Sequence, residues 1–180
     1  MVLYHMTQTY TLTEQDYLAF ELYTISKTPR FQPRQRNGRS FVAFCSAITM
    51  IYFIYSHNYW NAIYFGIMTV ALFIWYPRYF KWRQKVHYLK HIRRNYKNKF
   101  GLQETLVIDN KLITITNHTG TGTLKPSNFD KICETSTHYF MVLESGAALI
   151  LPKKDLNNQA FKSDLKTLKL PHHSDFTWRW

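Results

Sequence analysis

The stretch "SFVAFCSAITMIYFIYS" (40–56), "HN" (57–58) and "YWNAIYFGIMTVALFIWYP" (59–77) runs for 38 residues without one Asp, Glu, Lys or Arg. A helix needs roughly 20 mostly apolar residues, within a range of about 17–25, to cross a bilayer. Both long segments fall near the lower end of that range. At about 1.5 Å per residue each spans roughly 27 Å. The two-residue connection makes them antiparallel neighbours, so the sequence predicts a transmembrane helical hairpin over residues 40–77.

Charge supports this reading through its placement. The 180-residue chain carries 23 basic and 11 acidic residues, a net charge of +12. Five basic residues and no acid occupy residues 27–39. Nine basic residues, again with no acid, occupy residues 78–99. All of the excess positive charge therefore flanks the uncharged stretch, and the mean hydropathy of −0.32 averages two unlike parts. Short Lys/Arg-rich flanks stay cytoplasmic, which predicts a multi-pass protein with both termini in the cytoplasm and the 56–60 turn on the far side. Tyr55, Tyr59 and Trp60 at one end, and Trp75, Tyr76, Tyr79 and Trp82 at the other, form the two aromatic belts expected of interfacial anchors.

The remaining segments have their own patterns. Within residues 1–39, Val2, Tyr4, Met6, Tyr10 and Leu12 alternate as in a half-buried strand. "TEQD" starts a short helix with Thr13 as N-cap and Asp16 three residues on, a relative of the capping box. "TPRFQPRQRNGR" then breaks that helix. Residues 78–99 read as a basic amphipathic juxtamembrane helix, with Trp82, Val86, Leu89, Ile92 or Arg93, and Tyr96 along one stripe. Its Arg78, Lys81, Arg83, Lys85, Lys90, Arg93 and Arg94 are candidate contacts for anionic lipid, each charge near the surface contributing about 1 kcal/mol. The same charges serve equally to fix topology.

From residue 100 the period changes to two. "LQETLVID", "KLITIT", "FDKICET", "HYFMVLE" and "ALILP" read as strands. "DLNNQAFKSDLKTLKL" reads as a C-terminal helix, capped by Asp155 or Asn157, with Phe161, Leu165 and Leu168 on one face. The expected class is an α+β membrane protein, in which a cytoplasmic antiparallel β-meander or barrel at 100–180 is capped by that helix. The "PHHSD" tail reads as a loop and "TGTG" (119–122) as a turn.

The order of "YTLTEQDYLAF", the uncharged hairpin, the basic helix and a β-meander ending "ALILPKKDL" resembles the YcxB-like family of small bacterial membrane proteins. That resemblance implies a pleckstrin-homology-like C-terminal domain and a location in the bacterial inner membrane. It implies no particular activity.

No pattern in the sequence signals catalysis. Cys45 and Cys133 lie far apart and suggest neither a disulfide framework nor zinc. The N-terminus lacks the basic and apolar regions of a signal peptide. His87 and His91 have the i, i+4 spacing of metal ligands, but Lys90, Arg93 and Arg94 beside them repel a cation. The expectation is no metal, no cofactor and no enzyme activity. Residues 100–180 hold nine basic and eight acidic residues, so the high pI does not signal a nucleic-acid partner. Lys153 and Lys154 read as solvated strand-end residues, with contact to an anionic headgroup as the second reading. Ala43 with Ala47, and Ala62 with Gly66, have the small-residue spacing of close helix packing and raise homo-oligomerisation. The expected role is a non-enzymatic membrane-anchored module that binds membrane lipid or a protein partner. The alternative is a membrane-resident immunity protein that neutralises a toxin.

Overall fold

The computed structural model describes residues 6–109 and 112–180. Two long helices dominate its middle, α2 (Phe31–Tyr55) and α3 (Tyr59–Tyr96). Each has a segment long and apolar enough to cross a membrane. Their large apolar side chains point outward, with Phe41, Ile51, Ile67 and Trp75 all more than 60% exposed. In water such a surface would be costly at about 25 cal/mol per Å2.

The turn between these helices follows from local backbone chemistry. The His57 N–H donates to Ile54 O and the Asn58 N–H to Phe53 O, the paired bonds of a Schellman motif. His57 sits at φ 56°, in the left-handed region that this position requires and that glycine usually fills. Asn58 then caps α3 by accepting the Asn61 N–H at 3.4 Å. The turn thus ties up carbonyls of one helix and an amide of the next without a charged residue.

A ladder of contacts sets the hairpin register. Phe53 stacks on Phe65 at 5.4 Å, a Cβ on Gly66 would meet the Met50 sulfur at 3.4 Å, and the Ser46 and Thr69 hydroxyls share a hydrogen bond. Further along, Arg39 lies over the Phe73 ring at 3.4 Å, where the ring's quadrupole attracts a cation. Gln35 donates to Pro77 O at 3.4 Å, and Phe31 packs against Phe80 at 5.7 Å. Gly66 thus abuts Met50 across the hairpin with room for a methyl group.

Helix α2 starts earlier than the uncharged stretch. The break after α1 (Glu14–Lys27) is only three residues long. Pro33 falls in the first turn of α2, where an N–H has no helical partner to lose. Helix α3 runs through Pro77 without stopping, so the apolar segment 59–77 and the basic segment after it are one element.

The chain divides into Glu21–Lys90 and a second unit made of Met1–Phe20 with His91–Trp180. The latter holds two four-stranded sheets, ordered β1-β2-β3-β4 and β7-β6-β5-β8. In the first sheet β1 (Met6–Thr11), β2 (Gln103–Ile108), β3 (Ile113–Asn117) and β4 (Gly120–Leu124) are antiparallel. The second has β5 (Phe129–Thr135), β6 (His138–Leu143) and β7 (Ala148–Pro152) as an antiparallel meander. Its fourth strand, β8 (His172–Asp175), lies parallel to β5.

Three expectations change here. The strands form two sheets and neither closes into a barrel; the short turn Pro126–Asn128 separates β4 from β5. "TGTG" mostly belongs to β4, and the "PHHSD" tail supplies β8. The C-terminal helix α4 (Asn158–Thr167) is therefore followed by a strand, with Asn157 as its cap. Phe161, Leu165 and Leu168 are buried as the pattern indicates. Tyr10 and Leu12 are buried too, and β1 pairs with β2 along its whole length. Val2 and Tyr4, which were read into the first strand, lie outside the described residues, as do Asn110 and Lys111 of the β2–β3 turn.

A Cβ on Gly38 would overlap the Tyr76 hydroxyl. Gly38→Ala should therefore destabilise the hairpin by about 1–3 kcal/mol, the usual cost of overpacking. Tyr76→Phe should recover part of that loss when combined with it. Thermal unfolding of the two single variants and the double variant in detergent micelles measures the coupling.

Candidate functional site

Three sets of residues carry the chemistry. The first is the aromatic and basic dressing of the hairpin. Tyr55, Tyr59 and Trp60 surround the turn and are well exposed, as are Trp75 and Trp82. Tyr76 is different, because its ring turns toward Gly38 of α2 and stacks on Phe80 at 6.2 Å.

The basic residues of α3 do not share one face. At about 100° per residue, Arg78, Lys81 and Lys85 lie on one side, and Arg83 and Lys90 lie on another. Arg93, in the second unit, is engaged by the Glu14 carboxylate at 2.8 Å, and Arg94 is exposed. The expected apolar stripe is also split: Ile92 is buried, whereas Trp82 and Val86 are 60% and 45% exposed. Among the two metal-spaced histidines, His91 shares a hydrogen bond with the Asn95 amide at 2.8 Å.

The second set lines a groove of about 1140 Å3 between α2 and α3. Its wall holds aromatic residues, among them Phe31, Phe41, Tyr76, Tyr79 and Phe80, and cationic or polar ones, among them Arg30, Arg34, Arg83, Gln84 and His87. Of the α3 cations expected to meet lipid, Arg83 alone lines it. Arg30 and Arg34 were legible only as flanking charge. Their one-turn spacing was the signal that they present together.

The third set is a buried ionic network in the β unit. Asp16, 5% exposed, accepts the Thr13 N–H and hydroxyl at 2.7 Å each. This is the return half of a capping box. Its other oxygen meets His138 Nε2 at 3.0 Å, while the Thr137 hydroxyl meets His138 Nδ1 at 2.8 Å. Burial pushes the Asp16 carboxyl up, but hydrogen bonds from His138 and Thr13 together hold it at about 2. Hydroxyl, imidazole and carboxylate are in the order of a nucleophilic triad. Here the carboxylate also caps α1, and the residues around it tie that helix to β6.

Glu134 on β5 is 1% exposed and faces Lys153 Nζ at 2.8 Å, Lys162 Nζ at 3.0 Å and His172 Nε2 at 3.2 Å. Burial works against its charge, but bonds and charge from Lys153 and Lys162 outweigh it and lower its pKa. Lys153 also donates to Thr135 O at 2.6 Å and lies over the Tyr139 and Phe176 rings. It is thus an internal residue, which corrects its reading as a solvated strand end. Lys154 is exposed and 3.8 Å from Asp16. Burial and then the Glu134 charge push the Tyr139 phenol up. Sequence reading missed this network because its members are 38 residues apart and come from β5, α4, β8 and the turn after β7. The one local signal was a Glu inside the otherwise buried run "ICET".

No family model, curated protein or solved structure matches this chain. The functional reading rests on the geometry above.

The Asp16 pKa is depressed from 3.8 to about 2. Its contribution is therefore complete above about pH 4 and is lost as pH falls toward 2, a difference worth about 2 kcal/mol by linkage. Asp16→Asn should remove that stability at neutral pH and flatten the acid limb, measured by denaturant unfolding of the full chain in detergent between pH 2 and 7. Glu134→Gln leaves buried Lys153 without its counter-charge and should cost about 3 kcal/mol. Lys162→Gln, at a half-exposed position, should cost less than 1 kcal/mol in the same assay.

Proposed function

We propose that this chain is a non-enzymatic, membrane-anchored binding module of the bacterial inner membrane. The hairpin crosses the bilayer, both termini lie in the cytoplasm, and the β unit, read as pleckstrin-homology-like, is presented there to a protein segment or anionic lipid. The observation that carries this reading is the exposed apolar surface from Phe41 to Trp75, charge-free and bounded on both sides by Arg and Lys. A soluble helix of that composition would bury one face.

Strand pairing supports the same topology. β1 precedes the two helices, β2 follows them, and the two strands are hydrogen-bonded neighbours. A chain that pairs with itself across an intervening membrane segment must cross an even number of times. The ionic network supports the binding role by fixing α1, α4 and the second sheet as a firm platform, since satisfied buried networks rigidify what they join.

The test is alkaline carbonate extraction of cell membranes combined with reporter fusions. The protein should stay in the pellet, and a fluorescent reporter should be active at either terminus. Ile48→Lys with Ile67→Lys should release it, since each mid-span charge costs about 3 kcal/mol on insertion scales. Extraction of the unaltered protein by carbonate, or a reporter at either terminus active only outside the cytoplasm, would overturn the proposal.

A further inference from the structure

We propose that the groove between the start of α2 and the middle of α3 seats the headgroup of one anionic glycerophospholipid, with Arg30, Arg34 and Arg83 holding its phosphate. This deepens the membrane reading above and rests on it.

Charge is the first argument. Residues 21–90 contain ten basic residues and a single acid, Glu21, and Glu21 is not in the groove wall. Among the described residues, Arg30, Arg34 and Arg83 form no ion pair. These three line a cavity whose wall holds no carboxylate, although Glu21 and Arg34 both act on Tyr88 of that wall. Guanidinium groups suit this work because their fork of donors matches two phosphate oxygens at once.

Placement is the second argument. Arg30 and Arg34 are one turn apart on α2, the Arg34 N–H donating to Arg30 O at 3.2 Å. Arg83 with Gln84 and His87 arrives from α3. Arg30 also marks the N-terminal end of α2. Basic pockets between spanning helices on the cytoplasmic side have the chemistry that holds acidic headgroups.

The third argument is the polarity gradient, which selects a lipid over a small soluble anion. Along α2 the wall runs from Arg30, Phe31 and Arg34 to Asn37, Gly38 and Phe41, so its cations are confined to the start of the helix. Along α3 it runs from Tyr88, His87 and Arg83 back to Phe80, Tyr79 and Tyr76. The aromatic end in both helices adjoins the uncharged spans. A free phosphate would neutralise the cationic end and leave the aromatic end wet. A glycerophospholipid fills both, with its acyl chains continuing along the exposed apolar face. A volume of about 1140 Å3 exceeds what a phosphate alone requires and is of the order of a site for a larger ligand.

The experiment uses the full chain purified in a mild detergent. Native mass spectrometry and thermal unfolding are followed while phosphatidylglycerol, phosphatidylcholine or free glycerol 3-phosphate is added. The expected result is one retained phosphatidylglycerol per chain, a raised Tm with that lipid only, and no effect of glycerol 3-phosphate at equal concentration. Arg34→Gln with Arg83→Gln should weaken phosphatidylglycerol retention by about tenfold or more, the scale of losing charge-assisted bonds. Lys125→Gln with Lys166→Gln removes the same charge from the β unit and should leave retention unchanged. Equal retention of phosphatidylcholine, or an unchanged affinity in the double arginine variant, would overturn the proposal. Stabilisation by glycerol 3-phosphate alone would replace the lipid with a soluble phosphate ligand. Carbonate extraction of the same variants separates the two ideas: variants that stay in the membrane but fail to select the lipid refute only the groove.

Discussion

Where no water can reach the backbone, every amide and carbonyl must find a partner in the chain. Under the topology proposed above, residues 31–96 answer that constraint. Two helices meet it along their lengths, and the turn at 56–58 meets it at their ends, through the left-handed His57 and the double role of Asn58. The lack of charge between Ser40 and Pro77 and the internal satisfaction of the turn are two answers to one requirement. Gly38 lets Tyr76 approach α2, and Ser46 and Thr69 join the two helices by a hydrogen bond.

The β unit solves the opposite problem, which is how to keep charge inside. Asp16 and Glu134 are almost fully buried, and each is compensated from several elements. Asp16 serves a helix cap and a distant histidine with its two oxygens. Glu134 gathers Lys153, Lys162 and His172, from the turn after β7, α4 and β8. Cutting one partner of such a group leaves the other buried and uncompensated, which is why these residues bear more on stability than exposed pairs do.

Much of the fold could be read from local patterns. The uncharged run and its two-residue break mark the two long helices, because length and apolar composition are properties of contiguous residues. Thr13 and Asp16 mark the start of α1, and Phe161, Leu165 and Leu168 mark the buried face of α4, since both signals lie within a few residues. What escaped was decided at long range. β4, Gly- and Thr-rich with little side chain to bury, has no alternation to detect. β8 has polar residues throughout and is a strand only because β5 offers it an edge. Glu134 and Lys153 give no sign of each other until β5 and the turn after β7 are brought together. The groove depends on which faces of α2 and α3 meet, so Arg83 was singled out for its charge while Arg30 and Arg34 were not.

The pairing of β1 with β2 also sets an order of events during synthesis. Residues 6–11 leave the ribosome early, yet their partners at 103–108 come more than ninety residues later, after both long helices. Until then β1 has an open edge, and non-local pairing is slow to form. At about 5–20 residues per second, the first strand waits on the order of 5–20 s while the hairpin is made. Completion of the sheet therefore reports that the whole helical hairpin has been produced. A chain stalled inside the hairpin would hold an unpaired strand, a mark by which incomplete products differ from finished ones.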